Sequence, residues 1–209
     1  MVMLILILTG CQKSRENDTA DETETQPTAR DSVSSDIPIG GFDVLIRKLE
    51  DPERVNWQNP DMVLEKMGDI TGKTIADIGV GTGYFAFRII RRGGKVIGID
   101  IEQRFLDYIQ ERRSDLPEEY ARNIVTRLTV PDDPNLRENE VDWVLIVNTF
   151  SILEDRIDYL KKTRKGIKPG GKLLVVDFKM GDLPVGPELA AKIARVQAET
   201  IDQCKAEPA

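Results

Sequence analysis

One stretch, residues 74–100, limits what the rest of the chain can be: TIADIGVGTGYFAFRIIRRGGKVIGID. Its apolar start, Ile75, Ala76 and Ile78, is bounded by Lys73 and Gly79 and reads as a buried strand. Gly79, Gly81 and Gly83 then fall at alternate positions. A helical pattern follows over residues 84–91, with Phe85 and Ile89 on one face. A second apolar run, Val96-Ile97-Gly98-Ile99, ends in Asp100. Strand, glycine turn, helix, strand and acid together open a parallel α/β sheet of the nucleotide-binding kind.

Each part has a physical task. Glycines let the backbone approach a ligand closely, because no Cβ intervenes and a positive φ costs little. The start of the following helix offers unpaired N–H groups. An acid at the tip of the second strand can accept both hydroxyls of a ribose. A dinucleotide fingerprint, G-x-G-x-x-G, needs a third glycine three positions after the second. Counted from Gly79 that slot is the bulky Tyr84; counted from Gly81 it is Ala86, which some dinucleotide sites accept. Spacing alone leaves a nicotinamide dehydrogenase of the same fold class open.

The residues themselves narrow the choice. Asp77-Ile78-Gly79-Val80-Gly81-Thr82-Gly83 resembles motif I of class I S-adenosylmethionine-dependent methyltransferases. Residues 141–149, VDWVLIVNT, look like that family's fourth strand and the site loop after it. Residues 168–177, KPGGKLLVVD, look like its K-P-G-G turn and fifth strand. The resemblance covers about residues 42–179. It implies S-adenosylmethionine as cofactor, held by Asp77, Gly79, Gly81, Gly83, Tyr84, Asp100, Ile101 and Asn148. An acid after the third strand, Asp132 or Asp133, is expected to meet the adenine amino group.

The fold this implies is Rossmann-like: a parallel sheet ordered 3-2-1-4-5, helices on both faces, and no segment left for the family's usual strands six and seven. Residues 188–204 read as one last helix, with Leu189, Ile193, Val196 and Ile201 at helical spacing. Strand five would then be an open edge, available to that helix or to a second copy. Ahead of the sheet, Phe42, Leu45, Ile46 and Leu49 predict a helix. Trp57 and Asn59-Pro60 mark a loop, and Asp61 is the expected cap of a helix over residues 62–67. Residues 124–128 and 141–147 predict further strands, and Ile157, Leu160 and Thr163 face the core from the helix between strands four and five. In the resembled family the leading segment helps to form the acceptor pocket, which Trp57 could line.

The first forty residues differ in kind. Residues 1–8 are almost wholly apolar, and Leu8-Thr9-Gly10-Cys11 resembles a bacterial lipoprotein box. The run is too short to span a bilayer and lacks the basic residues that usually precede a signal's apolar core. By that resemblance residues 1–11 are a leader ending in a lipidated Cys11, and Gln12 after it favours the outer membrane. A chain whose leader is not functional would stay in the cytoplasm. Residues 12–37, rich in Asp, Glu, Thr and Ser, form a tether that buries too little to fold. Residues 38–209 are the domain. Cys204 is the only other cysteine, so no internal disulfide is expected.

Composition excludes more than it selects. A net charge of −7 does not favour a nucleic-acid surface. The chain has no histidine, which removes the commonest metal ligand and the commonest general base; no metal site is expected. Asp177, Lys179 and Tyr84 remain as bases, with nothing to choose among them, so the catalytic residue is open. The leading expectation is methyl transfer to a small-molecule acceptor. The alternative is a lipoprotein module that binds the nucleoside without turnover.

Overall fold

A computed structural model describes residues 3–9 and 39–178. Its frame is one six-stranded sheet. Five strands run parallel: β2 (Thr74–Ile78), β3 (Lys95–Asp100), β4 (Ile124–Leu128), β5 (Val141–Val147) and β6 (Ile167–Phe178). The sixth, β1 (Met3–Thr9), runs antiparallel to β6. The order across the sheet is β1-β6-β5-β2-β3-β4, so the parallel part has the expected 3-2-1-4-5 arrangement.

Alternation along the strands divides the core into two layers. Ile75, Val96, Trp143, Leu145, Leu174 and Val176 face one side, against α3 (Pro60–Met67), α4 (Ala86–Arg91) and α5 (Gln103–Ser114). Ala76, Ile97, Val144, Ile146, Leu173 and Val175 face the other, against Tyr159 and Leu160 of α7 (Arg156–Gly166) and against Phe150. Both faces are covered, which is why β5 is apolar throughout except for Asp142 near its start. At the amino ends of the strands, Asp142 Oδ2 accepts the Thr74 N–H at 2.8 Å and a Lys168 Nζ proton at 3.0 Å. That carboxylate ties β2, β5 and β6 together.

Three local expectations need correction. Trp57 lies not in a loop but in a short helix, α2 (Arg54–Gln58). Asn59, not Asp61, caps α3: it accepts the left-handed φ of 45°, its Oδ1 takes the Met62 N–H, and Pro60 fills the first helical position. Asp61 instead pairs with Arg92 at 2.7 Å. The short α6 (Glu118–Ala121) has too few turns to show periodicity. Residues 168–171 are not a turn outside the strand but a register shift within β6, where the partner changes from Ile167 opposite Val141 to Lys172 opposite Trp143.

The edge of the sheet is the larger correction. The β6 edge is not open, because Met3–Thr9 pairs along it from Phe178 to Lys172. The strand comes from the amino end, a place the usual sixth and seventh strands would not supply. The last predicted helix, residues 188–204, lies outside the described residues. α1 (Ile39–Leu49) lies between β1 and α2, and a short 3-10 helix (Phe150–Ile152) follows β5.

Deleting residues 1–9 is expected to bare the β6 edge and drive self-association, read by light scattering against the full chain. A truncated chain that stays monomeric with an unchanged unfolding midpoint would show that β1 contributes nothing.

Candidate functional site

The carboxyl ends of β2 to β5 open on one cavity of about 460 Å³, within the range of small-molecule sites. Its floor is the glycine turn after β2. Gly79 has φ +73°, and a Cβ there would collide with the Thr149 side chain. The Gly79 and Val80 N–H groups both donate to the Ile99 carbonyl, at 2.9 and 3.1 Å. Gly81 turns with φ +50° and donates its N–H to Asp100 Oδ2 at 2.9 Å. The turn is thus held to the end of β3 by three hydrogen bonds.

Asp100 and Ile101 form the wall after β3, and Ile101 is exposed. Asp100 is buried, and its Oδ1 accepts the Glu102 N–H at 3.0 Å. Burial pushes its carboxyl above the usual range, against backbone N–H bonds from Gly81, Glu102 and Ile101. Those three bonds still leave the carboxylate lone-pair capacity for a ligand. After β4 the wall is Thr129, Val130 and Pro131.

After β5 come Asn148 and Thr149. Asn148 takes a left-handed φ of 54°, which asparagine tolerates better than most residues. Its Nδ2 donates to Gln58 Oε1 at 3.0 Å, and its buried Oδ1 has no partner. The roof is apolar: Leu45 and Leu49 of α1, with Ile152 and Leu153 from the turn after β5. Ile152 is 70% exposed, so the roof is open on that side.

Of the residues proposed from sequence, Gly79, Gly81, Tyr84, Asp100, Ile101 and Asn148 line this cavity. Asp77 lies beneath the turn, 3% exposed, taking a hydrogen bond from the Ala86 N–H at the start of α4. Burial pushes its carboxyl up to about 7; the Arg54 charge pulls it down, and Asp100 pushes it up. Gly83 lines a neighbouring cleft with Arg88, Arg91 and Arg112 instead. Asp132 and Asp133 are not on the wall. The exposed Asp132 faces Lys162, and Asp133 Oδ1 accepts the Asn135 N–H at 2.7 Å.

The possible bases fare as follows. The Tyr84 hydroxyl is buried without a partner, and burial raises its pKa, so it holds its proton at neutral pH. Asp177 accepts the Ser151 and Phe178 N–H groups, which pins the turn after β5. Lys179 lies outside the described residues. Trp57 stacks on Phe178, 5.6 Å between ring centroids, rather than on the cavity wall.

Sequence reasoning missed Arg54, Gln58 and Tyr159. Arg54 lines the cavity at 6% exposure. Its guanidinium lies 4.0 Å from the centroid of the Tyr84 ring, which also carries Arg88 at 3.7 Å. It donates from Nη1 to the Leu49 carbonyl at 2.7 Å. A polar residue in a segment too short for periodicity carries no signal of burial. Tyr159 sits one position before the apolar Leu160 and was hidden by it.

The arrangement has counterparts among known proteins. The Methyltransferase domain family profile matches residues 76–173. A solved structure of a SAM-dependent methyltransferase from Aquifex aeolicus superposes with a TM-score of 0.65 at 26% identity, covering 71% of this chain and 79% of that one. The fold is therefore the Rossmann-like methyltransferase fold. Among curated proteins, a demethylmenaquinone methyltransferase of Tropheryma whipplei is 31% identical over 112 residues, 54% of this chain and 44% of its own length. A tRNA U34 carboxymethyltransferase of Cellvibrio japonicus is 28% identical over 142 residues, 66% of this chain and 43% of its own. The chain spans less than half the length of both.

Asp77 yields a pH test. Its carboxyl titrates at about 7 in the folded protein and near the ordinary value of 3.8 in the unfolded chain, so the unfolded chain ionises first as pH rises. Its contribution to stability is full below about pH 4 and is lost as pH climbs to about 7. Asp77→Asn is expected to flatten that decline in urea-unfolding free energy across the same pH window. An unchanged slope would show that Asp77 is ionised in the fold.

Proposed function

We propose that this chain is an S-adenosylmethionine-dependent methyltransferase acting on a small-molecule acceptor. The observation that carries the reading is the cavity's floor: a positive-φ glycine turn, with no room for a side chain at Gly79, beside a strand-tip carboxylate with lone-pair capacity left. These residues fit an adenosyl sulfonium. Asp100 would accept the ribose hydroxyls, Gly79 and Gly81 would let the sulfur end approach the backbone, and Ile101 and Val130 would flank the adenine. The cofactor when bound supplies both the electrophilic methyl group and its leaving group. What the chain's residues must do is hold an acceptor in line and keep water out, and orientation of that kind lowers a barrier by several kcal/mol.

The acceptor's own side is the apolar roof, Leu45, Leu49, Ile152 and Leu153. It suits an uncharged organic nucleophile better than a phosphate backbone, as does the net charge of −7. The Asn148 carbonyl oxygen adds one hydrogen-bond acceptor. Demethylated quinols and tRNA, the acceptors named for the curated relatives, define the first panel for turnover. Methylation of tRNA in preference to every small molecule would overturn the acceptor class.

Cofactor binding is tested by calorimetry with S-adenosylhomocysteine. Asp100→Ala is expected to lose about 1.5–3 kcal/mol of binding, since it removes charge-assisted hydrogen bonds. Gly81→Val, which cannot adopt φ +50° without strain, is expected to abolish binding. Wild-type affinity in Asp100→Ala would end the ribose assignment. A thermal shift with NAD and none with S-adenosylhomocysteine would turn the reading to a dehydrogenase.

For placement in the cell, we propose that Cys11 is a lipid anchor. The support is the Leu8-Thr9-Gly10-Cys11 box and the polar tether behind it. Cleavage before Cys11 would also remove β1, so anchored chains would carry a bare β6 edge. Wild-type protein is expected in the membrane fraction, and Cys11→Ala in the soluble fraction or as uncleaved precursor. Wild-type protein wholly in the cytosol would overturn the anchor.

A further inference from the structure

A second cleft, of about 320 Å³, lies away from the carboxyl rim and shares only Tyr84 with the main cavity. One wall is α4, where Arg88 and Arg91 stand three positions apart and so on one face. Arg112 of α5 joins them, and the link between α1 and α2 closes the other side. The three guanidiniums are held in place by rings and carbonyls. Arg88 lies 3.7 Å from the Tyr84 ring centroid and donates from Nη1 to the Tyr84 carbonyl at 2.6 Å. Arg91 donates from Nη1 to the Phe87 carbonyl at 3.3 Å. Arg112 lies 4.8 Å from the Phe87 centroid and 5.6 Å from that of Tyr108. Fixing a guanidinium this way lowers the entropy lost when it binds a ligand. A guanidinium has five N–H donors, so one bond to a carbonyl leaves most of them open.

The charges in the cleft narrow the ligand. Its acids are Glu50 and Asp51. Glu50 pairs with Arg112 at 3.2 Å, and Asp51 Oδ1 accepts the Glu53 N–H at 2.9 Å. Among the described residues no carboxylate oxygen lies within 4.0 Å of the Arg88 or Arg91 guanidinium. Two unpaired cations on one helix face, in a chain of net charge −7, mark this cleft as the place where an anion is welcome. A carboxylate has two oxygens in one plane and fills one fork. A phosphoryl group carries close to two charges and three acceptor oxygens, so it can meet guanidiniums from both helices at once.

We propose that the cleft between α4 and α5 is a phosphoryl-binding site, with Arg88 and Arg91 as its principal ligands and Arg112 as the third. The group reaches it either on a soluble phosphate compound or on the headgroup of a phospholipid; the chemistry of recognition is the same. The site is separate from the methyl-transfer cavity, so it stands whether or not the cofactor reading does.

The test has two arms on the full chain. In the first, the arginine Nε–H signals are followed by NMR as inorganic phosphate, then pyrophosphate, is added. In the second, the protein is sedimented with vesicles of phosphatidylcholine alone and with vesicles that also carry phosphatidic acid. Saturable shifts of the Arg88 and Arg91 signals are expected in the first arm for a soluble source, and a gain from phosphatidic acid in the second for a lipid source. Arg88→Gln/Arg91→Gln is expected to weaken whichever binding is seen by roughly 10-fold or more, the loss of one charge-assisted hydrogen bond. Arg92→Gln/Lys95→Gln removes the same charge outside the cleft and should bind as wild type does. If the first double variant has a lowered unfolding midpoint, the exposed Arg91→Gln alone carries the comparison, and unchanged affinity there overturns the site. Equal losses in the two double variants would show diffuse charge attraction and overturn it. So would a wild type with neither a saturable shift at Arg88 and Arg91 nor a gain from phosphatidic acid.

Discussion

The bond from the Gly81 N–H to Asp100 Oδ2 is the contact on which the site depends. It joins the turn after β2 to the end of β3 through a side chain. With the paired donors from Gly79 and Val80 to the Ile99 carbonyl, it holds a turn of positive-φ residues in one shape. That shape has no room for side chains at Gly79, because Thr149 of the neighbouring strand end fills it. A backbone surface results, smooth enough for a ligand to lie against. The same carboxylate remains on the cavity wall with lone pairs to spare, so structure and recognition share one group.

Around that bond the titratable groups are arranged by burial more than by pairing. Asp77, Asp100 and Asp177 all have carboxyls pushed upward by desolvation, and each is anchored by backbone N–H groups. Arg54 is pushed the other way by the same cause. Arg127 with Glu140 and Lys168 with Asp142 fasten the sheet's periphery, and at the cavity Glu102 pairs with Arg104 at 2.8 Å. The division suits a site that must offer unmet polar capacity to a ligand while its scaffold stays satisfied. None of the cavity's buried acids is poised as a free base. That fits a reaction whose leaving group comes with the cofactor and whose demand on the protein is mainly alignment.

The edge of the sheet raises a different constraint. β6 is a long strand, and its outer side is paired by Met3–Thr9. The residues that cover this edge are the same apolar run that reads as the core of a lipoprotein leader. Both readings use one physical property, a short stretch with high β propensity and no charge. Pairing and the proposed processing would exclude each other for a given molecule, because cleavage before Cys11 would remove the strand.

The parallel sheet, its order and the glycine turn were legible in residues 74–100, 141–149 and 168–177, since each of those features is local or nearly so. Apolar runs bounded by glycine make strands wherever they occur, and alternate glycines before a helix leave few other turns. Gly79, Gly81, Asp100 and Asn148 were found because strand ends converge on one rim in any open parallel sheet. What only the tertiary structure decided depends on contacts between distant segments. Asn59 rather than Asp61 caps α3 because the chain turns left-handed there to bring Arg54 and Gln58 inward. Thr129 to Pro131 displace Asp132 and Asp133 from the wall because Asp133 closes its own turn on Asn135. Gln58 meets Asn148 across 90 positions of sequence. β1 crosses from the far amino end to pair with the last described strand. Periodicity records which residues are buried within one element; it holds no information about which other element buries them.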